Sequence, residues 1–316
     1  MSGCTEVTTF SALSERRLTD TPLRQALLSE DSTLAVFIHH DSSVSVWDID
    51  NNQQRFSWKN EGLSEEELGH LSLSQNNKWL AVAGYWSTTL IDLHSGNIIG
   101  QWEFNGKIEG ATTASLQLSN NGDHALVGMT DGTVLHLNFK KNYAIQYHHH
   151  EMSVNHVGYT NDGMAFSGSI DKSWFHWDLT ENAVLQQREF RSRVTATAYD
   201  AISQRVFVSD ALKSHEIIDL TTNTSVAELK FFENFRFFRK GHFLENGKLL
   251  VTSSPKAAIT LWNAETGEEL ASGKIKRLTS EATTHAITTN NDDHLVTLSS
   301  DGVLQEWDYR SLLHAL

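Results

Sequence analysis

Residues 153–179 read SVNHVGYTNDGMAFSGSIDKSWFHWDL. From Val154 to Tyr159 the residues alternate, and the run stops at Asn161-Asp162-Gly163, a combination that reverses a chain. Met164 to Ser169 makes a second short strand, Asp171 marks a tight turn, and Ser173 to Trp177 makes a third. The following ENAVLQQREF (181–190) supplies a fourth. Four short antiparallel strands cannot bury both faces of their sheet alone, so such a unit requires neighbours of the same kind.

Those neighbours are present along the whole chain. VSVWD, TTLID, VLHLN, WFHWD, HEIID, ITLWN and LQEWD end at Asp48, Asp92, Asn138, Asp178, Asp219, Asn263 and Asp308. The gaps are 44, 46, 40, 41, 44 and 45 residues. LSNNGDHALVG (118–128) and LENGKLLVTS (244–253) repeat the first turn of the quoted unit. Six residues before the aromatic or aliphatic position of the signature stand Asp41, Asp131, Asp171 and Asp301. An Asp there accepts bonds from nearby backbone N–H groups and tightens the turn between strands two and three.

Units of this kind resemble WD repeats, and seven of them imply an all-β, seven-bladed β-propeller of four-stranded blades over residues 10–316. The resemblance also implies a buried hydrogen-bonded set of His, Ser/Thr, turn Asp and Trp. Blade four matches it with His150, Ser167, Asp171 and Trp177. Blades two, five and six depart from it, carrying Tyr85, Leu212 and Lys256 where Asp is expected. After Asp308 only YRSLLHAL remains, too short for a fourth strand and its connection. Residues near Phe10 to Leu18 are therefore expected to form the outer strand of blade seven, which would leave no open edge at the seam.

Composition narrows the function. With 25 Lys+Arg against 39 Asp+Glu, a formal charge of −14, and no strong basic run, the chain is a poor match for nucleic acid. One cysteine excludes an internal disulfide framework and a thiolate-rich metal site. His148 to His150 are consecutive, so on a strand they point alternately and cannot all face one ion; no metal and no cofactor is expected. No G-x-S-x-G elbow, H-E-x-x-H pair or phosphate-cradling loop occurs. The expectation is a non-enzymatic protein–protein interaction scaffold. The alternative is an enzyme or small-ligand binder with its site at the central channel.

Two stretches are candidates for contacting a protein partner. In LKFFENFRFFRKGHF (229–243), Phe235 and Arg236 are expected near a loop apex, where aromatic and Arg side chains make binding hot spots; packing between blades is the equal alternative for both. Phe231, Phe232 and Phe238 are read as packing between blades. Tyr85 and Trp86 replace the usual Asp-containing turn of blade two. The resemblance puts both stretches on the face most used for partners, together with the acidic NEGLSEEELG (60–69).

The single cysteine, Cys4, closes the opening MSGC. This resembles the end of a bacterial lipoprotein signal, with residues 1–9 as a tether and Cys4 as the lipid-bearing residue. That resemblance implies a lipid-anchored envelope protein on the periplasmic face of the outer membrane, touching membrane only through the anchor. The alternative is a cytoplasmic protein with an unmodified terminal thiol.

Overall fold

In most repeats the second strand is almost wholly buried, as in LAVFIH and LLVTS, and the fourth is the most exposed, as in QQRFSW. That gradient orders the strands from a packed interior to a wet rim. The computed structural model describes residues 8–231 and 236–313, without the side chains of Asp162 and Leu312. It is all-β, a seven-bladed β-propeller of four-stranded antiparallel blades. The chain divides into two compact units, Thr21–Val194 and Thr195–Leu316 with Met1–Asp20.

The first unit holds four blades. Blade one comprises Leu23–Leu28, Leu34–His39, Val44–Asp48 and Gln53–Trp58, and blade two His70–Leu73, Trp79–Ala83, Ser87–Asp92 and Asn97–Glu103. Blade three comprises Thr113–Leu118, His124–Met129, Val134–Asn138 and Tyr143–Tyr147, and blade four Val154–Tyr159, Met164–Ser169, Ser173–Asp178 and Val184–Glu189. The second unit holds blades five and six, whose innermost strands are Val194–Asp200 and Lys240–Leu244. Its blade seven comprises Thr284–Thr289, Leu295–Ser299 and Val303–Trp307.

The repeated Asp or Asn has a visible cause. Asp48, Asp92, Asn138, Asp178, Asp219, Asn263 and Asp308 each accept a backbone N–H two or three residues ahead through Oδ1, at 2.6–3.0 Å. Only an acceptor oxygen is required, which is why Asp and Asn interchange. Four residues beyond the signature the backbone turns left-handed, at Asn52, Gly96, Asn142, Asn182, Asn223 and Gly267. Asn and Gly tolerate that conformation where other residues strain. This second half of the turn signal is also present in the sequence.

The N-terminal segment completes blade seven. Ser14–Arg17 lies antiparallel to Val303–Trp307, with Ser14 opposite Glu306 and Arg17 opposite Val303. Thr8 and Thr9, assigned above to a tether, instead pair in parallel with Ala271 and Ser272 as a fifth strand on blade six. The segment therefore stitches two blades. Between its two strands Phe10 is buried edge-on against Trp307, ring centroids 5.4 Å apart, which anchors the stitch through apolar area and ring geometry.

Candidate functional site

The turns between second and third strands carry the functional candidates, and in several blades a carboxylate ties the turn to the loop entering the blade. Asp131 does this by accepting the Ile108 N–H at 2.8 Å while holding Thr133 N–H at 3.0 Å within its own turn. Asp301 accepts Leu278 and Thr279 N–H at 2.8 and 3.1 Å. Asp41 binds Ser43 through backbone and hydroxyl, at 2.9 and 2.6 Å.

Blade four builds the densest of these ties. His150 places Nδ1 3.0 Å from Asp171 Oδ2 and 2.9 Å from Ser173 Oγ, and Nε2 2.8 Å from Ser167 Oγ. Asp171 also accepts Glu151 and Ser173 N–H at 3.0 and 2.8 Å. Burial works to raise the Asp171 pKa, but the bonds from His150, Ser173 and Glu151 prevail and hold it well below the carboxylate range. Trp177 takes no part: its indole N–H is buried without a partner. The four-membered set expected above is instead His150, Ser167, Asp171 and Ser173. In blades six and seven the residue equivalent to Ser167 is Thr, and Trp262 and Trp307 donate to Thr252 and Thr297 at 2.8 and 3.0 Å. The His150 ring occupies the Ser167 hydroxyl, so Trp177 finds none.

Blade two reaches the same result with the roles reversed. Tyr85 has no carboxylate to offer the incoming loop, and the loop supplies one instead. Glu66 Oε2 accepts the Trp86 backbone N–H at 2.7 Å. Its side chain lies where a Cβ on Gly84 would come within 2.9 Å, so the turn needs glycine there. The loop is itself pinned, with Leu63 and Leu68 buried and the Thr89 hydroxyl donating to Leu63 O at 2.6 Å.

That exchange leaves two aromatics at the tip. The Tyr85 hydroxyl donates to Glu67 Oε2 at 2.8 Å, and Glu67 is ion-paired with Arg24. The Tyr85 bond and the Arg24 charge lower the Glu67 pKa, and the Glu67 bond raises that of Tyr85. The Trp86 indole donates to Ala111 O at 2.9 Å. Yet the Tyr85 and Trp86 side chains remain 40% and 41% exposed, with ring centroids 5.6 Å apart. Ile108, 59% exposed, accepts the Ala111 N–H and so belongs to the same small turn that receives the Trp86 indole. The result is an apolar patch whose polar atoms are already committed, fixing its orientation.

Arg236 is placed differently from the expectation of a loop apex. Its guanidinium is packed inward, 2.8 Å from Glu269, bonded to the Thr260 hydroxyl, and 5.0–5.7 Å from the rings of Trp262, Phe231 and Phe238. It ties the segment entering blade six to the third and fourth strands of that blade, and Phe231 and Phe238 pack around it. Phe235, Phe232 and Cys4 lie outside the described residues.

The histidine run is divided among neighbours. His149 packs on Tyr147, Phe175 and Trp177, while His150 joins Asp171. Among the described residues no group of three or more His, Cys, Asp or Glu is disposed to hold a metal. No protein-family model and no curated protein matches the chain.

Proposed function

We propose that this chain is a non-enzymatic protein-interaction platform of WD-repeat type, and that its partner docks on the blade-two turn of the Thr21–Val194 unit. The observation that carries this reading is the Tyr85–Trp86 pair. Both aromatics are held by hydrogen bonds while their faces stay open beside Ile108. Aromatic side chains fixed before association lose little rotamer freedom on binding, the property that makes Tyr and Trp interface anchors.

The same proposal makes Cys4 the lipid-bearing residue of an envelope protein, on the strength of the MSGC opening. Mass spectrometry of protein from its native membranes tests this part alone. A diacylated Cys4 supports it, and an unmodified Cys4 with residues 1–3 attached overturns it.

Affinity capture from native extracts tests the docking surface. A partner retained by the native chain and lost by Trp86→Ala and Tyr85→Ala, with unchanged circular dichroism, supports it. A partner retained equally by both variants removes it from this turn.

A further inference from the structure

Blades six and seven meet through their innermost strands, Lys240–Leu244 and Thr284–Thr289, which lie side by side within the Thr195–Leu316 unit. Lys240 opens the first of these opposite Ser253, the last residue of the neighbouring strand Leu249–Ser253. The Arg239 N–H donates to Ser253 O at 2.9 Å. Thr284 and His285 open the second strand. The fold thus gathers Arg239, Lys240, Ser253, Thr284 and His285 at one end of adjacent strands.

Polar atoms at this place lack partners that their counterparts elsewhere possess. Ser169 and Ser299 end the second strands of blades four and seven, as Ser253 does in blade six. The Ser169 hydroxyl donates to Met152 O at 3.0 Å, and Ser299 Oγ accepts the Val303 N–H at 3.2 Å. Thr113 opens blade three as Thr284 opens blade seven, and its hydroxyl donates to Tyr85 O at 3.1 Å. By contrast Ser253 Oγ, Thr284 Oγ1 and His285 Nδ1 are buried with no hydrogen-bond partner, in residues of which Ser253 and Thr284 are 1% and 3% exposed. Buried polar atoms left so are costly, and three at one place point to an absent partner.

The cations beside them are equally bare. Arg239 and Lys240 are exposed and form no ion pair among the described residues, although Asp and Glu outnumber Lys and Arg 39 to 25 in this chain. Arg236 and Lys276 of the same unit do find carboxylates, Glu269 and Glu15. Asp301, whose charge reaches His285, already accepts the Leu278 and Thr279 N–H groups and the Thr279 hydroxyl. Lys240 reaches water from a recess, with enough protein around it to lower its ammonium pKa. Burial and the Lys240 and Arg239 charges push the His285 pKa down to about 4, so at neutral pH its ring keeps one N–H donor.

We infer that Arg239, Lys240, Ser253, Thr284 and His285 form a binding site for a small phosphate-bearing dianion. Donors without acceptors stand beside cations without a counter-charge, and an oxyanion supplies both. The guanidinium and ammonium make charge-assisted bonds, and the hydroxyl rotors and the imidazole N–H complete the set. A tetrahedral phosphate accepts from several directions at once, as donors from three strands require, whereas a carboxylate accepts in one plane. The site shares no residue with the Tyr85–Trp86 turn and holds whether or not a protein docks there.

Calorimetric titration of the full chain with inorganic phosphate and with glycerol phosphate, at about pH 7.5 and fixed ionic strength, tests the inference; both probes are close to dianionic there. Phosphate should bind with a dissociation constant below about 1 mM. Lys240→Gln and Arg239→Gln should each weaken it at least about tenfold. Thr284→Val, which removes a donor and no charge, should weaken it at least about threefold. Lys248→Gln, at an exposed residue just before Leu249–Ser253, should leave it unchanged. Unchanged circular dichroism guards against a folding defect in each variant. Tighter binding of glycerol phosphate identifies the ligand as a phosphomonoester, and equal or weaker binding identifies it as free phosphate. No saturable binding below about 10 mM, acetate bound as tightly as phosphate, or native-like affinity in Lys240→Gln, Arg239→Gln and Thr284→Val overturns the inference.

Discussion

Blade four and blade two tie turn to loop with the same kind of bond and opposite ownership. In blade four the turn carries the carboxylate and the loop gives the N–H: Asp171 accepts from Glu151 at 3.0 Å. In blade two the loop carries the carboxylate and the turn gives the N–H, Glu66 accepting from Trp86 at 2.7 Å. The exchange has a consequence. A turn that must present Asp keeps that position for structure, whereas a turn that receives a carboxylate frees two tip residues for other work. Tyr85 and Trp86 occupy the freed positions.

If blade four is the more tightly locked of the two, removing its acceptor should cost most. Asp171→Ala leaves the His150 ring with only Ser167 and Ser173 and two backbone donors without their partner, and should lower stability by about 2–4 kcal/mol in urea titration. A loss below about 0.5 kcal/mol would show that the blade-four network does not lock its blade. The pH dependence sharpens the point. The folded-state pKa of Asp171 lies below its unfolded value, so its contribution is fully present above the unfolded value of about 3.9. It is lost as pH falls through the lower folded value. The stability gap between the native chain and Asp171→Asn should be flat from pH 7 to about 5 and narrow below about 4.

Glu66→Ala is the matching test in blade two and should have the smaller effect, about 1 kcal/mol, because the Trp86 N–H it exposes lies at a turn open to water. Glu66→Gln retains an acceptor and should recover most of that loss. A cost equal to that of Asp171→Ala would erase the distinction between the two turns.

The smallest effect on folding belongs to Trp86→Phe, which removes the indole N–H from Ala111 O and keeps an aromatic ring: a few tenths to about 1 kcal/mol. Hydrogen exchange at the 108–111 turn should rise in this variant. Unchanged exchange there would mean that the indole bond does not hold the patch.

Much of the fold was legible because its signals are local. The Asp or Asn ending each third strand is visible within a few residues, and the forty-odd-residue period is the spacing of those short stretches. The completion of blade seven by the N-terminal strand followed from counting strands. Part of the site was legible too: the missing turn Asp at Tyr85 marked blade two as unusual, and His150 stood at the distance that brought it to Asp171. Less visible was Ser173, whose hydroxyl joins His150 although nothing in its neighbourhood sets it apart from other turn serines. For Arg236 the sequence left packing and partner contact open, because composition identifies an aromatic-rich segment without saying which way its residues point; the guanidinium turns inward to Glu269.

The sequence by itself determined the number of blades, the order of strands and the chemistry of the tight turns, since these rest on periodicity and on hydrogen bonds spanning a few residues. Only the tertiary structure decided that Glu66 replaces the carboxylate missing at Tyr85, that Arg236 folds inward to Glu269, and that Thr8–Thr9 adds to blade six. Those partners stand about twenty to more than two hundred residues apart in the chain. The path of the intervening loops sets which donor meets which acceptor, and no local pattern records that path.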